Sequence, residues 1–217
     1  MGTVLGDLLP LAMGVAISPI PLVAAILVIL SNTSTAPGLG FAAGWVAAIA
    51  VVTAVVVLLS GAFGGDREPS PAVAWVKIVL GVLLLGLAGR QWRARSDTAT
   101  PRWMRAIDGL APARAVGLGA TLAALNPKNL LLCVSAGVGI GSGGLGGGAE
   151  VVAVVVYTMI AAASVLLVVV GYVLAADRLR ATLDTAREWL QANNHAVLAI
   201  VLLVMGTVVL GKGIGGL

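Results

Sequence analysis

Apolar residues run along this chain in six blocks separated by short polar stretches, and the blocks cover residues 4–30, 39–63, 73–88, 115–140, 151–175 and 196–210. Runs of this kind, on the order of 20 residues with few charges, read as membrane-crossing helices. A seventh, shorter pattern differs in kind. Between residues 177 and 190, Leu179, Leu183, Ala186 and Leu190 fall on one helical stripe with charges elsewhere, which predicts an amphipathic helix lying on the membrane surface before the last crossing. The stretch Ser31 to Gly38 is a turn by composition, so the first two crossings form a tight hairpin.

Two of the six blocks are interrupted where a membrane helix should be continuous. Block one contains Ser18-Pro19-Ile20-Pro21 and block four contains Asn126-Pro127-Lys128-Asn129. Proline lacks the backbone donor and clashes with the preceding turn, and a lysine at bilayer depth costs about 2.5–3.5 kcal/mol on insertion scales. Pro19 and Pro127 stand 108 positions apart in a chain of 217. They therefore occupy equivalent points in two halves. Each half has three crossings, an odd number, so related halves must be oppositely oriented, the inverted-repeat plan of many transporters. The predicted fold is an all-α integral membrane protein of six transmembrane helices in two inverted three-helix repeats. Helices 1 and 4 are proline-broken. Residues 1–95 form the first repeat, 96–112 a basic connector and 113–217 the second repeat, all within one membrane domain.

Composition strengthens this picture. Hydrophobic residues make up 59% of the chain and charged residues 10%, with a mean hydropathy of +1.08. A globular domain carries about 25% charged residues. The formal charge of +4 does not imply nucleic acid, because the arginines sit between apolar blocks. Nine of them fall in the three-four and five-six loops. The positive-inside rule puts those loops in the cytoplasm and both termini outside, in a multi-pass protein of the plasma (inner) membrane. The first block has no basic n-region and carries Asp7, so it should remain in the mature chain. The segment around Trp103 reads equally as an interfacial helix or a solvated loop.

The two breaks are the candidate site. At each, backbone groups lose their helical partners, and such groups persist at membrane depth only when buried in protein or lining a wet cavity. Both should face the bundle centre. The half-helix beginning at Pro127 would present its positive end there, and Lys128 adds a full charge. Ser18, Asn126 and Asn129 could add neutral hydrogen bonds. The candidate substrate-binding or pathway residues are thus Ser18, Pro19, Pro21, Asn126, Pro127, Lys128 and Asn129. They suit a carboxylate, phosphate, sulfate or sugar hydroxyl. The alternative is that Lys128 snorkels and the prolines only kink helices for packing. Lys128 lies 14 residues beyond Arg114, about 21 Å along a helix and near the middle of a 30 Å core, where snorkelling is awkward.

Other chemistry is disfavoured. The nine acids all lie in loops or near block ends, so a divalent-metal carrier would lack carboxylates at mid-depth. His195, the one histidine, stands at a block boundary with no HExxH or nucleophile pattern. Gly141-Ser142-Gly143-Gly144-Leu145-Gly146 matches a dinucleotide fingerprint in letters, but it follows a membrane block instead of a strand and reads as a loop. The lone Cys133 forbids an internal disulfide and reads as a small core residue. Gly40-Phe41-Ala42-Ala43-Gly44 is a small-xxx-small packing pattern followed by Trp45. No enzyme activity, metal or cofactor is expected.

Ser18-Pro19-Ile20-Pro21 with residues 22–30, Gly44-Trp45, and Leu125-Asn126-Pro127-Lys128-Asn129-Leu130 resemble the GAP family, the peptidoglycolipid-addressing proteins of actinobacteria, within the lysine-exporter (LysE) superfamily. The likeness extends over nearly the whole chain. It implies a six-helix inner-membrane protein linked to export of cell-envelope glycolipids, with superfamily relatives that export amino acids and other small solutes. Where amino-acid exporters tend to carry Pro-Gly-Pro, this chain has Ser-Pro-Ile-Pro, which sets it apart from amino-acid export. The expected function is a membrane exporter working by alternating access. The alternative is a non-transporting scaffold for a separate lipid exporter. The expected partners are the lipid bilayer and a small-molecule or glycolipid substrate, with room for a homodimer and no nucleic acid.

Overall fold

The computed structural model describes residues 2–31, 34–63, 71–96 and 110–216. The charged loop at 64–70 and most of the basic connector, including the Trp103 segment, lie outside the described residues. Within them every regular element is helical: α1 Gly2–Ala16, α2 Pro19–Leu30, α3 Ala36–Phe63, α4 Pro71–Arg93 with a 3-10 turn at Ala94–Ser96, α5 Pro112–Ala124, α6 Pro127–Gly141 and α7 Gly147–Ile214. No strand occurs among the described residues.

The two prolyl interruptions bend their helices as the chemistry requires. The pair α1–α2 is bent by 52° and α5–α6 by 69°. Helices α3, α4 and α7 are each long and apolar enough to cross a membrane, and the bent pairs bring the number of candidate crossings to as many as five. The molecule is a multi-pass membrane protein.

Helix α7 is far too long to be one crossing, and its contacts show that it doubles back. Ser164 Oγ donates to the Ala16 carbonyl at 2.6 Å. A Cβ placed on Gly14 would stand 2.8 Å from Met205 Cγ. Residues 164 and 205 would lie about 60 Å apart on a straight helix, yet both reach the last turn of α1. The reversal falls at Ala175, the residue inside α7 with non-helical angles (φ −149°, ψ 48°). This is the end expected for the fifth apolar block.

The segment expected as a surface helix keeps helical angles into the last apolar arm, but that arm is not straight: Met205 lies about 45 Å along a helix from Ala175 and Ser164 about 17 Å, yet both reach the last turn of α1. The segment's stripe is as read from the sequence. Leu183 is buried and Leu190 packs on the core, while Arg178, Arg180 and Glu188 are exposed.

Glycines decide which helices touch. A Cβ on Gly40 would meet the Pro112 carbonyl oxygen at 2.7 Å, on Gly44 the Val116 oxygen at 2.0 Å, and on Gly119 the Phe41 oxygen at 2.2 Å. Gly40 opposite Pro112 and Gly44 opposite Val116 rise together, so α3 and α5 run parallel in backbone contact. The small-xxx-small pattern is thus a packing surface, with Phe41 and Trp45 buried beside it. On the other side, Gly81 meets Leu210, Gly206 meets Leu85 and Gly213 meets Ile78. These positions run in opposite senses, so α4 and the second arm of α7 pack antiparallel. Lys212 pairs with Asp7 at 2.9 Å, which sets the end of α7 beside the start of α1. Cys133 is buried in the core, and the Tyr157 hydroxyl donates to its sulfur at 3.6 Å.

Candidate functional site

The site begins with missing donors. In α1 the carbonyls of Val15 and Ile17 would bond to the N–H groups of residues 19 and 21 in a continuous helix. Both are prolines. Ser18, just before them, takes an extended conformation (φ −118°, ψ 105°) and caps α2 through no side-chain bond. The C-terminal carbonyls of α1 are thereby left without helical donors, at the negative end of a helix dipole.

The second break supplies what the first lacks. Asn126 is the N-cap of α6, its side-chain oxygen accepting from Lys128 N at 3.1 Å, and Pro127 occupies the first helical turn where its missing N–H costs nothing. Lys128 follows, at the positive end of its own helix, a poor place for an ammonium. It reaches away, to α1. Nζ donates to the Gly14 carbonyl at 2.6 Å and to the Ile17 carbonyl at 3.3 Å. Lys128 is 3% exposed, so it does not snorkel. The charge of one broken helix sits on the broken end of the other, and Ser164 covers a third freed carbonyl, that of Ala16.

The seven residues read from the sequence gather at this crossing. Pro19 and Pro21 are buried in the first turn of α2. Ser18 and Asn129 are buried, and neither Ser18 Oγ nor either polar atom of the Asn129 amide has a hydrogen-bond partner. Such groups at the centre of a bundle mark a place where water or a ligand is wanted. Asn126, Pro127 and Lys128 line a cavity of about 340 Å³, together with Gln91, Thr121 and leucines of α4, α5 and α7. At its edge Gln91 Oε1 and His195 Nδ1 are 2.7 Å apart, joining the end of α4 to α7.

Sequence reasoning did not find Ser164, whose signal was a lone hydroxyl within an apolar run. Nor did it find Gln91 and His195, 104 positions apart, which carry no joint signal in the chain. No group of three or more potential metal ligands occurs among the described residues.

Two proline-broken helix pairs joined at their breaks by a buried lysine, inside a multi-pass helical bundle, define a membrane protein with buried polar groups where the two breaks meet. A family model described as "Sap, sulfolipid-1-addressing protein" matches residues 8–215, and the chain belongs to that family. No curated protein and no solved structure matches it.

Proposed function

We propose that the protein is a secondary exporter of the plasma membrane. It moves cell-envelope glycolipids, or another small anionic or polar solute, by alternating access of two inverted three-helix halves. The observation that carries this reading is the bond from Lys128 in the second break to Gly14 and Ile17 at the first. A hinge in each half, meeting its counterpart at mid-membrane, is what rocking of one half against the other needs.

Counting each bent pair as one crossing and each arm of α7 as one makes six. Parallel α3 and α5 suit the second and fourth crossings of such a chain, and the Asp7–Lys212 pair suits termini on one face. With the arginine-rich ends in the cytoplasm, both termini are extracytoplasmic. Kinship with the GAP proteins and the lysine-exporter superfamily belongs to the same proposal. The family's description as an addressing protein for a sulfolipid favours a lipid cargo.

The alternative is a scaffold that supports a separate lipid exporter. It is favoured by the lack, among the described residues, of a carboxylate paired with Lys128 that could serve as a coupling acid. Purified protein in liposomes, with a fluorescent glycolipid whose transbilayer movement is read by dithionite quenching, separates the two. Translocation by the native chain, lost in Lys128→Met protein that still elutes as a folded species, is the expected result. Normal movement by that variant sinks the site, and no movement by the native chain sinks the exporter.

A further inference from the structure

The two ends of the bundle are built differently. The cavity at the second break is walled by Ile20 of α2, Leu87 and Gln91 of α4, Thr121 of α5 and Leu198 and Leu202 of α7, besides the break itself. Among the described residues, none of its wall comes from α1 and none from α6 beyond Lys128. Gln91 stands in the last turn of α4 with Arg90 and Arg93, and α5 reaches Thr121 from Arg114. The cavity therefore lies between the breaks and the arginine-bearing end of the bundle.

Beyond the breaks, toward the chain termini, the helices close on one another. A Cβ on Gly14 would stand 2.8 Å from Met205 Cγ and 3.0 Å from Leu132 Cδ1, which brings together α1, α6 and the second arm of α7. Further out, a Cβ on Gly143 would stand 3.0 Å from Val4 Cγ2, one on Gly81 2.7 Å from Leu210 N and one on Gly213 2.7 Å from Ile78 Cγ1. Helices at these separations exclude a solute from the path between them.

The outermost contact on this side is polar. Lys212 Nζ donates to the Asp7 carboxylate at 2.9 Å and to the Asp7 backbone carbonyl at 3.0 Å. This clasp ties the first helix to the last and so joins the two halves of the chain. Lys77 of α4 feels both charges, attracted by Asp7 and repelled by Lys212. The paired side chains are 60% and 29% exposed, and exposed pairs are weak. A contact that parts in every cycle has to be weak.

We propose that the protein is here in a state whose cavity is reached from the arginine-bearing side, and that the Asp7–Lys212 clasp is the gate that closes the opposite side. The inference rests on the exporter reading for its purpose, but its test requires no transport. Single cysteines labelled by a membrane-impermeant methanethiosulfonate, in right-side-out and in inverted vesicles, decide it. Cys133 is 2% exposed, so the native chain should stay unlabelled from both sides. Ala94→Cys, in the turn after α4, marks the arginine-bearing side, and Ile214→Cys, at the end of α7, marks the other. Thr121→Cys, at an exposed position on the cavity wall, reports the cavity.

The cavity cysteine should react in the vesicles in which Ala94→Cys reacts, and far more slowly in those in which Ile214→Cys does. Adding Asp7→Lys replaces the acid of the clasp by a third lysine beside Lys77 and Lys212. It should move the ratio of the two rates toward the Ile214 side by about fivefold or more, because a weak attraction is exchanged for a repulsion. Combining it with Lys212→Asp rebuilds the pair with its poles exchanged and should return the native ratio. High salt should shrink the shift. Should Asp7→Lys not fold, Asp7→Asn should move the ratio the same way by less. A cavity cysteine labelled from the Ile214 side in the native background, or from neither side, overturns the assigned state. A ratio that no substitution of Asp7 moves removes the gate. Both results leave the exporter to its own liposome assay. Charge-dependent switching of sides in a protein that moves no glycolipid would sink the exporter and leave the gate standing.

Discussion

The tightest approach at a glycine among the described residues offers a stringent test of the packing. At Gly44 a Cβ would stand 2.0 Å from the Val116 carbonyl oxygen, about 1.4 Å inside the 3.4 Å at which ordinary contact begins. The obstacle is backbone, so no rotamer relieves it. Gly44→Ala must push α3 from α5 or leave a severe overlap, and overpacking of this sort costs about 1–3 kcal/mol or more. At about 2–4 °C per kcal/mol for a chain of this size, the melting temperature should fall by roughly 2–12 °C. Because α5 leads into Asn126, the displacement should also disturb the second break. Gly117 on α5 has nothing within 4 Å of an added Cβ, and alanine there should gain about 0.5–1 kcal/mol from helix propensity alone. Thermal unfolding of the two variants in one detergent, followed by tryptophan fluorescence, gives the comparison. If Gly44→Ala melts with the native protein or with Gly117→Ala, the parallel contact of α3 and α5 is wrong.

Other substitutions test the site. Ser164→Ala removes the donor that covers the Ala16 carbonyl and should cost about 1–2 kcal/mol by the same melting assay; an unchanged melt would mean that the first break is satisfied otherwise. Asn129→Leu deletes an amide whose polar atoms have no partner, so stability should hold or rise. A loss above about 1 kcal/mol would show a native partner for the amide and remove it from the ligand site. Asp7→Asn breaks the pair with Lys212, whose two side chains are 60% and 29% exposed. The cost should stay under about 1 kcal/mol and shrink with added salt, as melting at two ionic strengths would show.

Much of the site was legible in the chain because its parts are local chemistry. Proline cannot donate, so bends were expected at residues 19, 21 and 127, although Pro10 sits inside α1 without ending it. A lysine amid leucines is expensive unless something receives it, so Lys128 stood out before any fold was known. The Gly40–Gly44 pattern announced a close approach. It could not say to which helix, because a glycine specifies what is absent from its own surface and nothing about the surface that comes to meet it.

The doubling back of α7 had a weaker trace. The boundary at Ala175 shows in the switch from apolar to charged residues, but no glycine or proline marks a reversal there, and helical angles run on from residue 176 through the amphipathic stretch. Reversals of this kind are imposed by packing, here by Ser164 and Met205 both seeking the last turn of α1.

The two breaks were first visible as equivalent anomalies 108 residues apart, one charged and one not. That asymmetry was settled by sequence, since only the second carries a lysine. What the lysine does was settled by the fold. An ammonium at the positive end of its own helix is repelled there and needs acceptors, and only tertiary structure could bring it the Gly14 and Ile17 carbonyls at the broken end of the other helix. The cavity lined by Gln91, Leu125, Lys128 and Leu198 is likewise a property of no segment, because a cavity exists only between surfaces that the chain's order does not bring together.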